Sequence, residues 1–147
     1  NGGTTFLVVF FMKSIFFYGL FMDEVLLKKN GVNPSNSTQA RIDGYGLRIG
    51  KRATLVESEA ESVYGVIMSL STEGVNNLYS ADSVSDYIPE DLIAITPDNE
   101  TLPVISYNLP LVKLTGQNKE YAKSLCLVAK KVGLPSEYVK EIEKWTV

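Results

Sequence analysis

Apolar, β-branched runs separated by short turns fill residues 15–108, and the two clear helical repeats come only after them. Runs with this character at 15–18, 45–49, 53–57, 62–70, 92–96 and 102–108 predict six short strands. Pro97-Asp98-Asn99 makes a hairpin of the last two. Between them, 72–79 reads as a short helix with Thr72 as its cap and Val75 and Leu78 facing the core. Tyr121, Leu125, Val128, Ala129 and Val132 then recur at helical spacing, and Gly133 followed by Leu134 supplies a glycine stop with its apolar partner. Pro135 opens a second helix with Tyr138, Ile142 and Trp145 on its apolar side. Strands grouped first and helices last predict an α+β fold. Six short strands with glycines at bends suit a small closed or nearly closed β-barrel with flanking helices.

Composition narrows what such a barrel can do. At 147 residues, 45% hydrophobic and 21% charged, the chain is the length of one domain and close to globular averages. The absence of histidine removes the usual general base, the serine triad and the commonest zinc ligand together. Acid–base chemistry must then rest on carboxylate, Lys or Tyr. Cys126, the only cysteine, sits among Leu125, Leu127 and Val128 and reads as a buried, inert thiol. No Gly-rich phosphate loop and no Ser-x-x-Lys pair occurs. A net charge of −3 with scattered lysines offers no stripe for phosphates, which argues against nucleic acid as a partner. The apolar stretch 4–22 is broken by Lys13 and Gly19 and lacks a basic flank, so no membrane span is expected and the domain reads as cytoplasmic. Met12-Lys13-Ser14 looks like a natural start, leaving residues 1–11 as an N-terminal extension able to add a strand and 12–147 as the domain.

The run Ile15-Phe16-Phe17-Tyr18-Gly19 ends a strand in a Tyr-Gly turn. Glycine there lets a ligand approach the main chain, and exposed backbone N–H groups can hold a carboxylate or carbonyl oxygen. Alone, the same run also fits a strand end with a packed tyrosine.

Taken in order, Phe16-Phe17-Tyr18-Gly19, Val63-Tyr64-Gly65-Val66, Ser106-Tyr107 and the tail from Tyr121-Ala122-Lys123 through Gly133-Leu134-Pro135 to Glu137-Tyr138 resemble the gamma-glutamylcyclotransferase-like family over nearly the whole chain from Ser14. That family includes the gamma-glutamylamine cyclotransferases and the butirosin-pathway member. The resemblance implies a small mixed β-barrel with a pocket, no metal and no cofactor. It also implies a reaction in which the α-amine of a gamma-glutamyl group attacks its own γ-carbonyl, releasing an amine and 5-oxoproline. A small-molecule gamma-glutamyl substrate is the implied partner, and a homodimer is compatible with it.

By the same resemblance, Ile15, Phe16, Phe17, Tyr18, Gly19 and Leu20 form the substrate cradle and Tyr121 contacts the substrate. Asp82, in Leu78-Tyr79-Ser80-Ala81-Asp82-Ser83-Val84, falls where the family carries its catalytic glutamate. One methylene is missing there, on the order of 1 Å of reach. Leu20-Phe21 replaces a polar pair of the cradle, which favours a gamma-glutamyl amine or a different acyl compound over glutathione-cycle dipeptides. Two other readings stay open. One is a catalytically impaired domain that binds a carboxylated metabolite. The other is a self-associating structural domain built on the Phe-rich N-terminus.

Overall fold

The computed structural model describes residues 12–147. The expected extension and added strand at 1–11 lie outside the described residues. Strand β1 (Met12–Phe17) begins with exposed residues and ends with Ile15, Phe16 and Phe17 buried, so its apolar end is driven into the core. Strands β2 (Ser35–Ile49) and β3 (Ala53–Ser71) form one long antiparallel hairpin. Strands β4 (Ile88–Ile95) and β5 (Thr101–Asn108) form a second. In the order β1-β3-β2-β4-β5 these five strands close into a barrel. Closure is made by a parallel contact of Ile15 with Ile105, against antiparallel pairing elsewhere, so the barrel is mixed. Closing the sheet leaves few exposed strand edges to pair with other chains.

Five strands rather than six follow from one misread segment. Residues 58–61, Ser-Glu-Ala-Glu, separate two apolar runs and read as a break. They are instead the polar part of β3, which passes an irregularity between the pairs Asp43–Ser62 and Tyr45–Glu57. Strand β2 likewise reaches back to Ser35, because its first residues are exposed and carry no apolar signal. The predicted hairpin at 97–99 is present, with Asn99 at a φ of 64° and the Thr96 N–H donating to the Glu100 carbonyl at 2.9 Å.

Four helices surround the barrel among the described residues. Helix α1 (Glu24–Lys29) has no counterpart in the sequence reading. It is capped by Asp23, whose side chain accepts from the Val25 N–H, and buries only Leu27, too short a repeat to register. Helix α2 (Thr72–Leu78) buries Val75 and Leu78 as expected, but its cap is Ser71, which accepts from the Gly74 N–H at 2.9 Å, and not Thr72. Helix α3 (Lys119–Lys131) buries Ala122, Leu125, Cys126 and Ala129. It stops at Gly133, whose φ of 80° suits glycine and lets the Leu134 N–H reach back to the Ala129 carbonyl at 3.0 Å. Cys126 is buried as read, and desolvation holds its thiol above the ordinary value. Helix α4 (Ser136–Glu143) buries Tyr138, Val139 and Ile142. Trp145 falls beyond it in a short 3-10 turn, partly exposed, so it does not extend the apolar face of α4. No helix among the described residues is long and apolar enough to cross a membrane.

Candidate functional site

The end of β1 is fixed by two glycines of the sequence motifs. Gly65 on β3 lies against Phe17, and a β-carbon there would fall onto the Phe17 carbonyl oxygen. The strand carrying Val63-Tyr64-Gly65-Val66 can therefore press against β1 only without a side chain at that position. Gly19 follows at the turn, where a β-carbon would lie 2.6 Å from the Tyr121 hydroxyl oxygen. The Leu20 main chain also faces this hydroxyl and offsets part of the rise that burial imposes on it. The Tyr-Gly turn thus makes room for a phenol from α3. A phenol O–H at this place is able to donate to a bound ligand.

Around these groups lies a cavity of about 260 Å³. That is just below the ~300–1,000 Å³ typical of sites for drug-sized ligands, so the space suits a small metabolite. Phe16, Phe17, Tyr18, Gly19, Leu20 and Tyr121 all line it. Ile15 is fully buried in the core and is not among the lining residues. Asp82 is exposed on the turn after α2 and does not line the cavity either, whereas the next residues, Ser83 and Val84, do. Its backbone carbonyl accepts from the Ser85 hydroxyl at 3.4 Å.

Aromatic rings make the rest of the wall. Tyr79 stacks on Tyr107 with centroids 4.0 Å apart and planes 9° from parallel. Phe21 meets Tyr79 edge-on at 6.3 Å and Phe17 at 6.1 Å. Such contacts add to burial by about 0.5–1.5 kcal/mol per pair. Tyr18 donates its hydroxyl to the Tyr107 carbonyl at 2.8 Å, and Tyr87 donates to the Ala53 carbonyl at 2.6 Å. Those two bonds tie β1 to β5 and the 80–87 turn to the start of β3.

Arg52, just before β3, is the one charged residue among the described residues that line the cavity. Its guanidinium holds Asp86 with two bonds, at 2.6 and 2.9 Å, and donates to the Ser83 carbonyl at 3.1 Å. It also lies 5.7 Å from the centre of the Tyr87 ring. The hydrogen bonds from Arg52 hold Asp86 below the ordinary carboxylate value. Sequence reading did not find Arg52 or Tyr79. Tyr79 stands three residues before Asp82, a weak signal, and Arg52 has none, because only the folded β2–β3 turn brings it to Ser83 and Asp86.

Burial raises the phenols of this region. Tyr18, Tyr79 and Tyr121 are pushed well above their usual value by desolvation, and Tyr87 is pushed up to about 12. An unfolded tyrosine ionises near 10, so above that pH the folded chain binds more protons than the unfolded one. Stability from these groups is complete below about pH 10 and is lost as the pH rises through the folded values. Tyr87 alone contributes on the order of 1–2 kcal/mol after allowance for its partial exposure. Thermal melts are expected to lose roughly 5 °C or more between about pH 9 and pH 11.5. An unchanged melting temperature over that range contradicts the burial of the hydroxyls.

A closed five-stranded mixed barrel with a Tyr-Gly turn facing a helix tyrosine across an aromatic cavity has the gamma-glutamylcyclotransferase-like fold. A model of the AIG2-like family matches residues 62–142, more than half of the sequence, and the chain belongs to that family. It is 27% identical over 95 residues to the gamma-glutamylcyclotransferase of Bos taurus, covering 63% of this chain and 50% of that protein. The Homo sapiens gamma-glutamylcyclotransferase is 25% identical over 96 residues, covering 64% and 51%. The chain thus spans about half the length of the curated relatives it matches. A solved gamma-glutamyl cyclotransferase superposes with a TM-score of 0.73 at 20% identity, over 90% of this chain and 86% of that one. A yeast gamma-glutamyl cyclotransferase specific to glutathione gives 0.67 at 12% identity, over 92% and 95%. At these identities the superpositions establish the fold.

Proposed function

We propose that this chain cyclises a gamma-glutamyl amine or gamma-glutamyl amino acid to 5-oxoproline and releases the amine. The observation that carries the reading is the cavity formed by the Tyr-Gly turn and Tyr121, of a size for a small metabolite. It lies in a barrel like that of a gamma-glutamyl cyclotransferase, and relatives of this chain bear the same name. The substrate supplies its own nucleophile. Its α-ammonium loses a proton, the nitrogen bonds to the γ-carbon, the bond to the leaving nitrogen breaks, and that nitrogen takes up a proton. The protein has to fold the chain into attack geometry, carry the proton and stabilise the oxyanion. In this reading Tyr121 donates its hydroxyl to the substrate oxygen, main-chain groups at Tyr18, Gly19 and Leu20 contact the glutamyl moiety, and Asp82 carries the proton. Asp82 needs a shift of the 80–87 turn to reach the substrate. The aromatic wall favours an apolar leaving amine over glycine or another small amino acid.

One observation favours a second reading. None of the described residues that line the cavity is a carboxylate, which fits a domain that binds a carboxylated metabolite without turnover. Incubation with a panel of gamma-glutamyl amines and dipeptides, with 5-oxoproline and free amine quantified together, separates the two. Equal amounts of both products are expected. Ligand-induced thermal stabilisation without product establishes the binding domain instead.

A further inference from the structure

Arg52 has donors to spare. Its bonds to Ser83 and Asp86 occupy both hydrogens of Nη1 and one of Nη2. A guanidinium carries five N–H donors in a planar fork. The Nε–H and the second Nη2–H, which form the other two-pronged edge of that fork, have no acceptor among the described residues. The surrounding wall is aromatic and aliphatic, so nothing else charged in the lining competes for an anion. Arg52 is also rigid: its end is fixed by Asp86 and the Tyr87 ring lies beside it. A pre-ordered guanidinium with two unpaired donors, on a residue that lines a low-polarity cavity, is suited to bind a carboxylate with two parallel bonds.

We propose that Arg52 is the anchor for the ligand's carboxylate and that Asp86 sets how strongly it binds. The assignment rests on the cavity being the substrate site, as in the proposed function. It fixes the substrate class more narrowly: the ligand carries a free carboxylate at one end and an apolar group at the other, the first on Arg52 and the second against the Tyr79–Tyr107 stack. Asp86 neutralises part of the guanidinium charge and repels an incoming anion. Removing its charge strengthens ligand binding, whereas a pair that merely fastens the 80–87 turn would make its loss weaken binding.

The test uses 5-oxoproline and its neutral carboxamide as probes, with affinities measured by calorimetry for the full chain, Arg52→Gln and Asp86→Asn, and with thermal melts to confirm that both variants are folded. The full chain is expected to prefer the carboxylate by about tenfold or more. Arg52→Gln abolishes that preference, and Asp86→Asn tightens 5-oxoproline binding by about three- to fivefold. Equal affinity for the two probes, binding of neither, or parallel weakening by both variants overturns the assignment. Turnover is scored separately. Carboxylate preference without 5-oxoproline formation retains Arg52 and removes the activity, while turnover with unchanged Arg52→Gln kinetics does the reverse.

Discussion

Asp82→Asn is expected to lower kcat by about 10²- to 10⁴-fold, the usual contribution of a positioned acid–base group, while leaving the fold untouched. Asp82 is exposed and takes no part in the ion pairs of the described residues, so its loss changes stability by no more than about 0.5 kcal/mol. The amide keeps the size and removes the proton acceptor. A fall in kcat with little change in KM identifies a group used in the chemical step. Full activity in the variant would move the proton carrier elsewhere. Asp86 is the nearest alternative in sequence, and its tie to Arg52 makes it a poor base, because proton uptake would break a two-bond ion pair.

Gly65→Ala is expected to destabilise the chain by about 3 kcal/mol, a large part of the ~5–15 kcal/mol available to a domain. The added methyl meets the Phe17 carbonyl and comes within 2.8 Å of Phe16 Cζ. Neither can yield. Phe17 is held in the ladder opposite Val66, and Phe16 is 1% exposed. Gly65 is also paired to Ala40 on the other side, so β3 cannot swing away. The strain passes along β1 to the Tyr-Gly turn, so any surviving protein should bind ligand poorly. Urea denaturation measures the loss, and a midpoint equal to that of the unsubstituted chain would contradict the close approach of β1 and β3.

These two residues mark how far the sequence could be read. The motif glycines were visible as glycines, but their reason, a carbonyl pressing on Gly65 and a phenol on Gly19, depends on strands and helices far apart in the chain. Apolar periodicity revealed the end of β1 and α3, where burial and local pattern coincide, and the turn residues at 97–99 revealed the hairpin. Periodicity failed for residues 35–44 and 58–61, because strands exposed on one side carry polar residues and derive their order from partners. The lining residues at the Tyr-Gly turn and Tyr121 came from family resemblance. The resemblance marked Tyr107 as well but not its stacking on Tyr79, since the two rings meet only after α2 and β5 have packed. Arg52 was silent for the same reason: a lone arginine in a turn has no sequence pattern to mark it.

The most direct test of intramolecular cyclisation is to run the reaction with a gamma-glutamyl amine in ¹⁸O-water and analyse the products by mass spectrometry. Attack by the substrate's own amine uses no water, so 5-oxoproline without ¹⁸O and one equivalent of free amine are predicted. Glutamate carrying ¹⁸O in its γ-carboxylate would show hydrolysis and contradict the account.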